Sequence, residues 1–327
     1  MIYLNFAALV VAFAVLFKSA SFFVDGASSI ARILNVPKLV IGIVLVGLGT
    51  TAPEFGVTLI AAIRGSGEIA IGNAIGSVIC DDGVALALAA IVAPSVIFVN
   101  CRILKVAGLF LISIDVLAYI LAKNGRLGRI EGLCLVLILC LYYIFVIRSQ
   151  WRNRSHQNNE EMDSSSSGDT STQLDRKSLY RPVKLFLIGL IGVALMSFVV
   201  VETAVRIAQF FQISEIIIGS TIIAIGTSLP EISTCITAVM KGEGEIAVGD
   251  IIGADILNIL WIIGVASLVK PIDVDLDIIN FSFPFMILIV VVMLLLLRIG
   301  CRLTKLKGFI LLSLYGLFIF MLFQIFI

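Results

Sequence analysis

The chain has 327 residues, 60% hydrophobic and 14% charged, with a formal net charge of +1 and a mean hydropathy of +1.14. Soluble domains run at about 45–50% apolar and about 25% charged, so the surplus apolar surface must face lipid and the protein is polytopic. Near-neutral charge excludes a nucleic-acid binder, whose phosphate contacts need clustered Lys and Arg.

In chain order, ten apolar segments reach spanning length, about 17–25 residues. They lie near 3–23, 37–62, 69–94, 103–121, 130–147, 184–204, 214–239, 246–269, 279–298 and 307–326. They are too long for barrel strands, which alternate in runs of about ten, and helices are the other way to satisfy backbone in lipid. The expected fold is all-α, ten transmembrane helices as two inverted five-helix repeats. The first run lacks a basic n-region, so no cleaved signal peptide is expected. Residues 149–183 are polar, Ser-rich and aperiodic, and are expected to form a disordered linker. It separates the first repeat (1–148) from the second (184–327) and carries the single His, His156. Counting Lys and Arg at span ends gives 16 on the linker side against 6 opposite. The positive-inside rule then predicts a multi-pass cell-membrane protein with the linker cytoplasmic and both termini outside. The six cysteines (80, 101, 134, 140, 235 and 301) lie in or beside apolar runs without CxxC spacing. They are expected as small hydrophobes, neither disulfides nor a zinc site.

The decisive feature is an internal repeat. Shifting the chain by 177 residues aligns 49–83 with 226–260 without a gap, 14 of 35 positions being identical. The same offset pairs Asp25 with Glu202. With five spans per half, an odd number, the second copy must enter the membrane upside down. Inverted repeats are the mark of secondary transporters, with the site at mid-membrane between the copies.

Each copy opens with Gly-Thr-x-x-Pro-Glu inside an apolar segment. Pro53 and Pro230 lack an N–H and crowd the preceding turn, so Gly49 and Gly226 lose their helical partners and the carbonyls of Thr50 and Thr227 are disturbed too. Unwound carbonyls at that depth coordinate cations. Glu54 and Glu231 share a helix face with those threonines. The bland alternative, a kinked helix whose Glu pairs with a buried cation, would have to occur twice. Further on, Asn73, Ser77 and Asp81 form a polar stripe at helical spacing, with Asp250, Ala254 and Asn258 as equivalents. Hard oxygen donors of this kind suit Na⁺ and Ca²⁺. Gly72, Gly76, Gly249 and Gly253 are expected to permit close helix packing. Asp82 and Asp255 lie one position off the stripe and can reach water near a helix end. Glu68, Glu243 and Glu245 fall in short Gly-rich connections and are expected to be solvated, and Asp115 stays unassigned.

GTTAPE with GNAIGS and GTSLPE with GDIIGAD resemble the paired α-repeats of the sodium/calcium exchangers, within the cation/Ca²⁺ antiporter superfamily. The resemblance covers essentially the whole chain and implies a prokaryotic-type exchanger without a large regulatory loop. It implies Ca²⁺ held by Glu54 and Glu231 with the Thr50 and Thr227 carbonyls. Sodium sites would add Thr51, Ser77, Ser228, Asp81 and Asn258, with Asp250, Asn73 and Asp255 as further candidates. It also implies alternating access by sliding of the first and sixth spans, and three Na⁺ per Ca²⁺. The sequence departs from the family pattern: Ala254 replaces Ser, Asp255 stands where Asn is common, and Asp250 stands where Asn is usual. Asp81 and Asn258 reverse the usual order.

The expected function is therefore Na⁺/Ca²⁺ antiport, with no enzymatic activity and no cofactor beyond the transported cations. The partners are inorganic cations and lipid, and one chain holds the whole site. A Ca²⁺/H⁺ or K⁺-dependent exchanger is the alternative, kept open by Asp250, although the GNxxE glutamate of the proton-coupled branch is absent. An intramembrane aspartyl protease would need a Tyr-Asp partner for Asp250, and none exists. A passive channel would not need inverted repeats.

Overall fold

The computed structural model describes residues 2–164, 176–211 and 224–326. Its helices are α1 (Ile2–Leu34), α2 (Lys38–Thr50), α3 (Ala52–Arg64), α4 (Ile69–Val92), α5 (Cys101–Ala122) and α6 (Arg129–Ser164). The second half contributes α7 (Arg176–Phe210), α8 (Ala224–Thr227), α9 (Leu229–Met240), α10 (Gly244–Val269), α11 (Ile278–Cys301) and α12 (Lys305–Phe326). Among the described residues eight helices are long and apolar enough to cross a membrane. The α2–α3 pair, bent by 48°, makes up to nine when it is counted as one span. The expected span 214–239 falls partly outside the described residues, and its described part is α8 and α9.

Local chemistry fixes these elements. Asn100 caps α5, its side chain accepting from the amides of Arg102 (3.1 Å) and Ile103 (3.3 Å) as an N-cap should. Gly65 ends α3 at φ +86°, a left-handed conformation that glycine adopts without penalty. Helices α4 and α10, which carry the two polar stripes, lie at the centre, 78% and 83% of their apolar windows being buried. The outer helices turn Val10, Leu141, Ile191, Phe198 and Phe309 outward. Such exposed apolar side chains are what lipid contact requires.

Two short antiparallel pairs display the inversion. β1 (Ile97–Phe98) pairs with β4 (Arg302–Leu303), and β2 (Arg126–Leu127) pairs with β3 (Ile272–Asp273). Each joins one half to the other. β1 and β2 flank α5, a helix of 22 residues and about 33 Å, so the two pairs sit on opposite faces of the molecule. The same contact is thus made once on each face, as an upside-down repeat demands.

Two expectations, on the cysteines and on the glutamates of the short connections, are corrected. Cys101 and Cys301 are joined by a disulfide, with Cα atoms 5.5 Å apart. The β1–β4 pairing, with Val99 N–H donating to the Cys301 carbonyl at 3.0 Å, brings together residues 200 positions apart in the chain. No local spacing could reveal such a pair. At the linker, α6 runs on to Ser164 and α7 starts at Arg176. Residues 165–175 lie outside the described part. Finally, Glu243 and Glu245 are not free in solvent. Glu243 pairs with Lys38 at 2.5 Å and accepts from Ser28 Oγ at 2.7 Å, and Glu245 accepts from the Asn100 amide at 3.0 Å.

Candidate cation-binding site

The site forms where two helix breaks meet two polar stripes. In the first copy Thr51 leaves helical geometry (φ −74°, ψ 3°) between α2 and α3, with Pro53 in the first turn of α3. In the second, Ser228 does the same (φ −85°, ψ 10°) between α8 and α9, with Pro230 in the corresponding place. Proline supplies no N–H to the turn behind it, so both breaks follow from sequence. The stripes carry their own irregularity. Asp81 opens a π-helical stretch, Asp81–Leu86, inside α4, and Asn258 opens its equivalent, Asn258–Ile263, inside α10. Such bulges are common at functional sites because they redirect a side chain.

Burial is complete. Thr50, Thr51, Glu54, Ser77, Asp81, Ser228, Glu231, Asp250, Asp255 and Asn258 are all buried, while Asn73 and Thr227 are half-buried. Among the described residues, both carboxylate oxygens of Glu54 and of Glu231 lack a hydrogen-bond partner, as do Asp81 Oδ1, Ser228 Oγ and both amide atoms of Asn258. Unpaired buried carboxylates are costly, so this set is a cradle for positive charge. Glu54 lies within electrostatic reach of Glu231, Asp81 and Asp250. Among the described residues no three Asp, Glu, His or Cys side chains converge into a metal cage. A bound cation must therefore also draw on hydroxyl and main-chain carbonyl oxygens, the donors that the two breaks expose.

Asn73 and Asp250 serve as brackets between helices. Asn73 Nδ2 donates to Thr58 Oγ1 (3.0 Å) and to the Glu54 carbonyl (3.3 Å), and Thr58 Oγ1 donates to the Ala70 carbonyl (3.4 Å). In the second copy Cys235 Sγ meets Asp250 Oδ2 at 3.8 Å and the Ala247 carbonyl at 3.5 Å. Residues 58 and 235, and 70 and 247, are related by the 177-residue offset, so one bracket is built twice. Thr58 and Cys235 escaped the sequence reading, although their place one turn after each Glu was the available signal. Asp250 also reaches the first copy: Thr50 Oγ1 donates to Asp250 Oδ1 at 2.9 Å across 200 residues. This bond ties the first break to the second stripe and gives the departure to Asp a role.

Asp255 is not brought to the glutamate pair. Its electrostatic neighbours are Asp82, Asp81 and Asp115, and all of these are buried. The expectation that Asp82 and Asp255 reach water at a helix end is therefore overturned: both lie in the packed contact between α4 and α10. Added Cβ atoms at Gly249 and Gly253 would strike the backbone of Leu39, Gly42 and Ile43, whereas Gly72 and Gly76 meet no described atom within 4 Å. Those two instead line a crevice of about 250 Å³ with Asn73, Ser77 and Thr227.

Two inverted halves, paired helix breaks and unpaired buried carboxylates between them define a secondary cation transporter. The chain belongs to the sodium/calcium exchanger family: the family model described as sodium/calcium exchanger protein matches residues 4–148 and 182–324. Members of this family are transporters, not enzymes. The inner membrane protein YrbG of Escherichia coli is 35% identical over 266 residues, covering 81% of this chain and 80% of that protein. The sodium/calcium exchanger MaX1 of Methanosarcina acetivorans is 29% identical over 99% of this chain and 100% of its own. The solved structure of the sodium-calcium exchanger NCX_Mj soaked with 2.5 mM Na⁺ and 1 mM Sr²⁺ is similar with a TM-score of 0.82 at 27% identity, covering 98% of each chain.

Proposed function

We propose that this chain exchanges Na⁺ for Ca²⁺ across the cell membrane by alternating access. The observation that carries the reading is the four buried carboxylate oxygens of Glu54 and Glu231, unpartnered among the described residues, one pair at each helix break. Ca²⁺ takes these carboxylates with the Thr50 and Thr227 carbonyls. Sodium uses the same glutamates with Thr51, Ser77, Ser228, Asp81 and Asn258. Asn73 and Asp250 hold the break helices against the stripes, and Asp250 adds negative charge. Asp255 belongs to the neighbouring acid group and tunes the field from there.

Coupling follows from electrostatics. An ionised carboxylate at the bilayer centre costs about 2.5–3.5 kcal/mol on insertion scales. Glu54, Glu231, Asp81 and Asp250 together would thus cost roughly 10–14 kcal/mol if empty and ionised. One divalent ion or several monovalent ions neutralise them, and the unneutralised site does not cross between states. The face with the linker and most of the basic residues is cytoplasmic, both termini are outside, and a monomer suffices.

The test is ⁴⁵Ca²⁺ uptake into proteoliposomes under an outward Na⁺, H⁺ or K⁺ gradient. Uptake driven by Na⁺ alone is expected. Uptake driven only by the pH gradient would replace this reading with Ca²⁺/H⁺ exchange, the reading that the additional acids Asp250 and Asp255 favour.

A further inference from the structure

The 177-residue offset carries more than the binding site. Asp25 on α1 pairs with Lys241, just past α9, at 2.6 Å, and Lys241 Nζ also donates to the Ser21 carbonyl at 3.0 Å. The offset maps Asp25 onto Glu202 of α7 and Lys241 onto Arg64 at the end of α3. An acid on each of α1 and α7 thus has a cation on the rest of the bundle, one pair on each face of the membrane. Yet only one pair is made. Glu202 bonds Arg206 within its own helix at 3.0 Å, and among the described residues Arg64 makes no ion pair and is exposed.

The apolar packing divides in the same way. Helices α1 and α7 lie against each other closely, Gly26 of α1 facing the Phe186 backbone and Gly189 of α7 facing that of Phe23. At the linker face Phe23, Val24, Ala27, Ile30 and Phe186 join the main core of the bundle. Toward the opposite face Ala12, Leu16, Ala20, Val193 and Val200 form a smaller cluster, against which Leu229 of α9 packs. Among the described residues the α1–α7 pair joins the main core at the end where its charge pair is closed, and meets the bundle through a smaller cluster at the end where the charge pair is open.

We propose that Asp25–Lys241 and Glu202–Arg64 are two alternating gate latches, closed in turn as α1 and α7 move together along the bundle. The linker-face latch carries additional bonds, Ser28 to Glu243 and Glu243 to Lys38. The offset places Val205 opposite Ser28, and Val205 has no hydroxyl to repeat that contact. The linker-face-closed state is therefore the favoured one in the empty protein. The proposal rests on the alternating-access reading above but not on which ions are exchanged.

The test uses the full chain in proteoliposomes. Asp25→Cys with Lys241→Cys, and separately Arg64→Cys with Glu202→Cys, are cross-linked by oxidation. Each link is expected to stop exchange and a reductant to restore it, with the parent chain, whose Cys101–Cys301 pair meets the same reductant, as control. With all four substitutions in one chain, mass spectrometry should find either link but not both in a single molecule. Link formation is read without transport, so its failure is separable from an error in ion identity. Both links in one molecule, or no Arg64–Glu202 link under any ion condition, would overturn the proposal. Milder variants give a second reading. Lys241→Ala and Arg64→Ala should shift half-maximal Ca²⁺ at one face in opposite directions by about threefold, the reach of an exposed ion pair. Shifts in the same direction, or none, would also overturn it.

Discussion

The hydrogen bond from Thr50 to Asp250 gives a test of whether the family's usual Asn has been replaced by a working charge. Both residues are buried at 0% exposure and the bond is 2.9 Å long. The other described contact of the Asp250 carboxylate is the thiol of Cys235 at 3.8 Å, a weak donor. Thr50→Val keeps the shape of the side chain and deletes the donor. A bond to a charged acceptor is worth about 1.5–3 kcal/mol and a neutral one about 0.5–1.5 kcal/mol. Thr50→Val should therefore cost about 1 kcal/mol more in the parent than in the Asp250→Asn background, where the amide oxygen still accepts but carries no charge. The assay is a graded SDS titration in mixed micelles followed by tryptophan emission. Trp261 is a suitable reporter because it stacks on Phe55, beside Glu54, with ring centroids 5.4 Å apart. Equal costs in the two backgrounds, within the roughly 0.5 kcal/mol expected of independent sites, would refute an ionised Asp250 bound by Thr50.

Glu54→Gln and Glu231→Gln should each abolish ⁴⁵Ca²⁺ exchange while leaving the protein monodisperse, and exchange at the parental rate in either variant would refute the ligand set. Ala254→Ser restores the hydroxyl the second stripe lacks, and should lower the Na⁺ needed for half-maximal exchange by about 2- to 10-fold, the range of one neutral polar contact. Gly249→Ala drives a methyl into the backbone of Leu39 and Gly42, and overpacking of this kind costs about 1–3 kcal/mol. Its melting temperature in detergent should fall below that of the parent, and an unchanged value would refute the close approach.

What could be read from sequence was whatever the duplication wrote twice. Pro53 with Pro230 and Glu54 with Glu231 announced the breaks, and the gapless offset announced the inversion that the β1–β4 and β2–β3 pairs display. What could not be read falls into two kinds. Contacts between distant segments leave no periodic trace. The Cys101–Cys301 disulfide and the approach of Asp82, Asp115 and Asp255 depend on which helices are neighbours, and a hydropathy pattern is silent on that. The second kind is the asymmetry between copies. Asp25 and Glu202 are equivalent in sequence, yet one reaches across to the bundle and the other folds back on its own helix. A repeat records what its two copies share, which is the site and the latch residues. Exchange requires the copies to differ whenever the site is open, because a molecule held closed alike on both faces would neither take up nor release ions. The differences between equivalent residues therefore describe a single state of the cycle, and the offset describes the state that must follow it.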